Sequence, residues 1–599
     1  MHADKDMRDA PNVRTGNLQG VQDDCSRPKH QRSHGYCGRM SPPGAVSQGG
    51  CTDPALLEAL AAPAMYRGHP QQVVVHDTHA SWVFVAGDHA YKIKKPVALG
   101  FLDYSTLSRR HAACLEEVRI NQELAPGIYL GVRAILKTSD GFRFAVEDTP
   151  GAIEYAVEMQ SFNEADTMEG MIVAGTLTPA HIQDIARRLA SFHGSAPRVA
   201  GGGPSQVLQA WQTNIQELGR LKHPAGRWDM GVAEHFGEAF VNAHAEEIEQ
   251  RAGDGQVRDG HGDLRCEHVL VRGDVRVVDR IEFDPALRCT DVAAEVAFLT
   301  MDLEAHGQTW AARELVSAYV QAGGSPGSET LRSFYAAHRA LVRVKVALIA
   351  ATARDGPARQ GQVAAAETLW TLAERLCWQA RRPVVIVVCG PAASGKSTLA
   401  AELARRSHLP VVSSDVLRKR HAGLAITERA GPEHYTRQFT HRTYGRLGDE
   451  ALRHLRAGDG VIVDATCRTQ SQRKLLLSRL QECGVTRLVV LCQVRLETAL
   501  ARAAQRMQRP ERVSDATPQI VAEQFRSFQP LDELPSGSVL ELNTEQTIDV
   551  QVAEVTRAID ERLSPHRKHS SGDYTPGEVR AFPQSNRRVN PVDDTTGRD

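Results

Sequence analysis

The stretch Pro383-Val384-Val385-Ile386-Val387-Val388-Cys389-Gly390-Pro391-Ala392-Ala393-Ser394-Gly395-Lys396-Ser397-Thr398 decides how this chain is read. A β-branched run ends at Gly390, and the helix-forming run Leu399-Ala400-Ala401-Glu402-Leu403-Ala404 follows Thr398. Between them lies G-x-x-x-x-G-K-S in its required setting of strand, tight turn and helix N-terminus. Gly390 and Gly395 permit backbone conformations that a Cβ would block. Successive N–H groups can then turn toward a polyphosphate at the positive end of a helix. Residues Gly390, Pro391, Ala392, Ala393, Ser394, Gly395, Lys396, Ser397 and Thr398 are the expected cradle. Lys396 reaches the outer phosphates and the Ser397 hydroxyl ligates Mg²⁺.

Downstream, Val411-Val412-Ser413-Ser414-Asp415-Val416-Leu417-Arg418-Lys419-Arg420 reads as a second strand ending in polar groups. Ligands bind at the carboxyl ends of parallel strands. Asp415 can take a proton from an acceptor hydroxyl, and Arg418 can hold an acidic part of that acceptor. A helix-capping role for Ser414 or Asp415 is the plainer alternative. Gly460-Val461-Ile462-Val463-Asp464-Ala465-Thr466 reads as another buried strand. Its Asp464 is placed to hold Mg²⁺ or to seat the acceptor, or to serve the turn alone. After the strand at 487–492, a helix over 497–508 carries Arg502 and Arg506, with Arg509 at its end and Arg512 beyond. Arg502, Arg506 and Arg509 share one face. They read either as a lid that neutralises a transferring phosphate, with Arg502 and Arg506 favoured, or as a solvated basic face.

Upstream, a short helix at 54–60 leads into extended runs at 72–76, 81–85 and 90–97. Gly-Asp turns between such runs predict an antiparallel sheet. A helix over 105–124 carries Glu116 and Glu117, and 141–161 reads as further strands. The segment Glu154-Tyr155-Ala156-Val157-Glu158-Met159 is expected to link two lobes. Lys92 and Lys94 point to the same face of their strand. Lys-bearing strand followed by Glu-bearing helix is how protein kinases pair a lysine with a glutamate over the α- and β-phosphates. Lys92 and Glu117 are the preferred pair. Next come His261-Gly262-Asp263-Leu264-Arg265-Cys266-Glu267-His268, a hairpin at 272–274, then Val277-Val278-Asp279, and finally Asp291-Val292-Ala293. An Asp after His-Gly can accept a hydroxyl proton, and a carboxylate at the end of a following strand can hold Mg²⁺.

Composition sets limits. The 599 residues carry a net charge of -1, so no whole-chain field draws in long nucleic acids or an anionic membrane. No apolar run approaches the ~20 residues a bilayer span needs. The first residues lack the apolar segment of a signal peptide. The 11 cysteines contain no C-x-x-C pair, which suits reduced thiols in a cytoplasmic chain. Residues 1–52 and 564–599 are polar and breaker-rich and read as tails. That outweighs a zinc site drawn through Cys25, His30, His34 and Cys37.

The residues above carry two resemblances. The half from 53 to 380, through H-G-D-L, the hairpin, V-D and D-V-A, resembles aminoglycoside phosphotransferases and the wider kinase-like fold. That resemblance makes Asp263 the catalytic base and Asp279 the metal ligand, with Glu282 and Asp284 as rivals and Asp291 buttressing the loop. The family usually has Asn where this chain has His268. An imidazole suits softer metals than Mg²⁺, so His268 as a second metal ligand departs from the pattern. The half from 381 to 563 resembles P-loop kinases of the polynucleotide kinase, gluconate kinase and zeta toxin group through G-P-A-A-S-G-K-S-T, S-S-D-V-L-R and V-D-A-T. In this order the halves look like the bacterial family described as bifunctional aminoglycoside phosphotransferase/ATP-binding proteins. The implied fold is a multidomain α/β and α+β chain: a bilobal protein-kinase-like domain, then a doubly wound parallel-sheet P-loop domain. The implied activity is transfer of the ATP γ-phosphate, with Mg²⁺, to a hydroxyl of a small molecule or to a nucleic-acid 5′-hydroxyl. The alternative is a kinase-like half that senses a ligand and regulates the P-loop half.

Overall fold

The computed structural model describes residues 53–78, 80–99, 102–221, 229–352, 354–480, 485–508, 515–535 and 537–563. Both expected tails, the Cys25, His30, His34 and Cys37 set, and Arg509 and Arg512 lie outside the described residues.

The first half begins with six antiparallel strands. They are β1 (Val73–Asp77), β2 (Ser81–Ala86), β3 (His89–Lys94), β4 (Tyr129–Thr138), β5 (Gly141–Val146) and β6 (Glu154–Gln160). Their spatial order is β1-β2-β3-β6-β4-β5. Two expectations are corrected here. Strand β4 was not read from the sequence, because Gly131 and a register shift beside it interrupt its alternation. The segment 154–160 is an interior strand rather than a link; the chain leaves the sheet only after it. Helix α1 (Leu107–Asn121) packs across β4 and β6 and brings Glu117 beneath β3.

The rest of the first half is mainly helical around α2 (Val292–Ala305), α3 (Glu329–Thr352) and α4 (Gly356–Ala380). Helix α2 is buried on nearly every side, as its Ala- and Val-rich sequence requires. Its core includes Phe334, whose ring stacks on Phe240 at 4.4 Å and on Trp211 at 4.8 Å.

The second half is a doubly wound domain on five parallel strands, β7 (Val384–Cys389), β8 (Val411–Ser413), β9 (Val461–Asp464), β10 (Thr486–Gln493) and β11 (Val539–Asn543), in the order β8-β9-β7-β10-β11. Central strand β7 is buried on both faces, which explains its unbroken run of Val and Ile. Val384, Ile386 and Val388 face one core, and Val385, Val387 and Cys389 face the other. Five helices matter below: α5 (Lys396–Ser407), α6 (Ser414–Ala422), α7 (Leu496–Met507), α8 (Pro518–Ser527) and α9 (Ile548–Asp560). The expected strand over 411–420 stops at Ser413, and Asp415 opens α6 instead.

The halves share a packed seam. Helix α4 places Leu372, Ala373 and Leu376 in the first half's core and Trp378 in the second's. The Arg381 guanidinium donates to both Asp560 oxygens at 2.6 and 2.9 Å and lies 4.1 Å from the Phe236 ring. This ion pair is buried at the point where α9 packs on the helix Met230–Ala243.

Candidate functional site

In the second half, the turn between β7 and α5 has the backbone its glycines allow. Gly390 has φ +138° and Gly395 φ +96°. A Cβ on Gly390 would meet the Cys492 carbonyl oxygen at 2.8 Å, so a larger residue cannot enter. The Ser397 hydroxyl donates to Asp464 Oδ2 at 2.7 Å. This places the hydroxyl from the first turn of α5 beside the carboxylate at the end of β9, a fitting pair of oxygen donors for Mg²⁺. Lys396 is buried and donates to the Pro391 carbonyl at 2.9 Å, curling over the loop. Ala392 N–H donates to Gln524 Oε1 of α8 at 2.8 Å. An amide of the loop thus meets a side-chain oxygen where a phosphate oxygen would bind.

Asp415 stands at the same strand edge. Burial pushes its carboxyl above the ordinary range, and nearby Asp464 adds to the shift against Lys396 and Arg418. No capping bond from its side chain is found among the described residues, and Ser413 occupies the cap position. Two of the expected arginines have partners within the domain. Arg418 is buried near Asp415; it donates to the His434 carbonyl at 2.6 Å and lies 4.5 Å from the Tyr435 ring. Arg502 donates to the Thr544 carbonyl at 2.8 Å, behind the loop rather than over it. It still touches the cradle indirectly, because the Thr544 hydroxyl donates to the Ser394 carbonyl at 2.6 Å. Arg506 lies one turn on and is half-buried. Sequence reading missed Gln524, Thr544 and Asp515. Asp515 accepts from the Tyr435 hydroxyl at 2.8 Å and lies 3.3 Å from Lys419 Nζ. No motif marks these residues; only the fold brings them together.

In the first half, Lys92 Nζ lies 2.8 Å from Glu117 and 2.6 Å from Asp279. Burial opposes its charge, but Asp279, Glu117 and Glu282 overcome this and hold its pKa well above the usual value. Lys94 pairs with the other Glu117 oxygen at 2.5 Å and with Glu282, which also accepts from the Tyr104 hydroxyl. Glu117 therefore bridges both lysines, where the sequence suggested a choice between them. Two cations face the three carboxylates of Glu117, Asp279 and Glu282. The surplus negative charge lies toward Asp279, whose side chain is 39% exposed while Glu117 is fully buried. Asp279 is thus the carboxylate of this set that fits a divalent cation. The rivals are engaged elsewhere: Glu282 by Lys94, and Asp284 as a cap accepting from Ala286 N–H at 2.9 Å.

Asp263 lies in the loop behind. Burial would raise its carboxyl, but Arg265, His268 and Arg343 outweigh that and hold it well below the usual range. Arg265 donates to both of its oxygens at 3.0 and 2.8 Å. His268 Nδ1 donates to the Asp263 carbonyl at 2.8 Å. Its Nε2 sits 3.3 Å from an Arg265 nitrogen and 3.6 Å from Asp279. The nitrogen expected to ligate a metal thus faces both the Arg265 guanidinium and the Asp279 carboxylate. The loop is buttressed by Glu295, which accepts from the Gly262 and His261 amides at 2.8 and 2.6 Å. Asp291 was expected to buttress the loop; instead it caps α2 and accepts two bonds from Arg251. Gly262 has φ +89°, and a Cβ there would meet Ile281 at 2.9 Å.

Residues 385–531 match the model of the family described as AAA domain. Uncharacterized proteins of Mycobacterium bovis and of Mycobacterium tuberculosis strain H37Rv are each 30% identical over 405 residues, spanning 65% of this chain and 78% of theirs. The chain belongs to the family of these mycobacterial proteins. A gluconokinase from Sinorhizobium meliloti 1021 is 18% identical over 31% of the chain and 95% of its own, with a TM-score of 0.23. Among the described residues, no helix of this family member is long and apolar enough to cross a membrane.

Proposed function

We propose that the chain is an ATP-dependent phosphotransferase with two nucleotide sites, one in each half. The observation that carries this reading is the Ser397–Asp464 contact of 2.7 Å beside Lys396, at a glycine turn leading from strand to helix. In each half, residues fit to hold Mg²⁺ lie near a carboxylate that can face a hydroxyl. Catalysis would rest on positioning and charge neutralisation, because neither site has a covalent nucleophile with its base. Bound Mg²⁺-ATP would supply the transferable phosphoryl group. Ser397 and Asp464 would hold the metal in the second half, and Asp279 in the first. Asp415 and Asp263 would take the acceptor's proton. The acceptor is a small-molecule alcohol or a nucleic-acid 5′-hydroxyl. The seven described cysteines are all free, which fits a cytoplasmic protein.

Labelled ATP with a panel of polyols, aminoglycosides and 5′-hydroxyl oligonucleotides tests this. Lys396→Ala and Asp263→Asn should each remove part of the phosphotransfer and together remove all of it. Total transfer unchanged by either single change would end the two-site reading. A specific observation favours a second reading, in which the first half senses nucleotide and regulates the second: Arg265 holds both Asp263 and His268. Under it, Asp263→Asn would leave every transfer intact while Asp279→Asn altered the second half's rate.

A further inference from the structure

Directly behind the Asp263 loop lies a set of donors that the nucleotide chemistry does not use. Cys266, Asp302 and His306 place one ligand atom each within 4.8 Å of one another. Among the described residues this is the one such group of His, Cys, Asp and Glu. Cys266 comes from the loop, and Asp302 and His306 from the end of α2 and the residue after it. His306 Nε2 lies 3.2 Å from Glu169 Oε1, on the helix Met168–Ala174. Loop and helix therefore converge on one spot, with a third segment at its edge.

We infer that Cys266, Asp302 and His306 form a zinc-type metal site that fastens the loop to α2, with Glu169 at its edge beside His306. The geometry supports a metal over a chance gathering. His306 Nδ1 donates to the Asp302 carbonyl at 2.8 Å. That bond fixes the ring, as outer partners of metal-bound histidines do, and leaves Nε2 facing Glu169. Cys266 is fully buried, whereas Asp302 and His306 are half-buried, so an ion has a polar approach. A thiol, an imidazole and a carboxylate select zinc or cobalt over Mg²⁺. This separates the site from the oxygen donors Asp279 and Asp464.

Binding of M²⁺ would release the Cys266 proton, and the His306 proton wherever that ring is charged. The bonds that form are to sulfur, nitrogen and a carboxylate oxygen, with water completing the shell and no change of oxidation state. Metal binding should tighten as pH rises. The loop also carries Arg265, so the site is placed to fix the side chain that clamps Asp263.

The test uses the full-length protein stripped with a chelator and titrated with Co²⁺. The readout is the near-ultraviolet thiolate-to-cobalt charge-transfer band together with visible bands of four-coordinate cobalt. The expected result is a band saturating at one equivalent and abolished by Zn²⁺ but not by Mg²⁺. Cys266→Ser should remove the band. His306→Gln should weaken binding by roughly a hundredfold or more, beyond the about 10–100-fold that outer partners cost. A Cys25→Ser/Cys37→Ser variant should keep the band. Circular dichroism of the apo variants separates lost binding from lost folding; if Cys266→Ser does not fold, His306→Gln decides. No band in the parent overturns the proposal, as does a band that survives Cys266→Ser or vanishes in the Cys25/Cys37 variant.

Discussion

Asp263 and Asp415 are the carboxylates proposed to take the acceptor's proton in the two halves, yet their surroundings push them in opposite directions. Asp263 is clamped by Arg265 and held well below the ordinary carboxylate range, in spite of burial. Asp415 is raised by burial and by Asp464. A carboxylate stabilised as an anion is a weak base that stays charged; a raised one accepts protons more readily and titrates nearer neutrality. The same side chain is thus set for a different balance of charge and basicity by its surroundings: cations led by the Arg265 guanidinium in the first half, burial and then a second carboxylate in the second.

The contrast can be broken most severely at Asp415. Asp415→Asn should lower acceptor phosphorylation by the second half by roughly 10²–10⁴-fold, the usual worth of a positioned base, with nucleotide binding kept. Steady-state kinetics beside nucleotide titration would check it. A similar loss in nucleotide affinity would mean that Asp415 serves binding instead. Next in size is the seam. Arg381→Ala leaves Asp560 buried without its partner and should destabilise the folded chain by about 3–5 kcal/mol, read by denaturant unfolding. If the halves melt independently of this change, the pair is no joint.

The pH profiles sharpen the comparison further. Asp415 has a raised pKa, so the second half's rate should fall as pH drops through a value above the ordinary ~3.9. Asp263 has a lowered pKa, so the first half's rate should hold to lower pH. Arg265→Ala removes the main force lowering Asp263, and should move that acid limb upward. A limb unmoved by Arg265→Ala would remove the clamp from the account. The smallest effect is expected at Gln524. Its oxygen accepts from Ala392 N–H, so Gln524→Ala should tighten nucleotide binding a few-fold, by about the net worth of one hydrogen bond. Weaker binding would instead make Gln524 part of the nucleotide site.

Legibility in the sequence followed how local each cause was. The glycine turn at 390–397 reads directly, because strand, turn and helix start within sixteen residues and each position has a steric or charge reason. Asp464 also reads well, since a buried β-branched strand announces its end. Lys92 and Glu117 could be paired, but not the sharing of Glu117 with Lys94, since both lysines lie on one face and only the depth of α1 decides. Glu295 escaped notice because its amide partners lie 33 and 34 residues away. Strand β11 and Thr544 were missed because V-L-E-L-N is short and half-buried, and its place is set by β10. Arg418 and Arg502 each donate to carbonyls of loops that only the fold brings near them.

Calorimetric titration of the full-length protein with Mg²⁺-ATP tests the central claim most directly. Two equivalents should bind per chain, falling to one in Lys396→Ala, to one in Asp279→Asn, and to none in the double variant. No binding by the parent, or a stoichiometry untouched by both substitutions, would contradict a nucleotide site in each half.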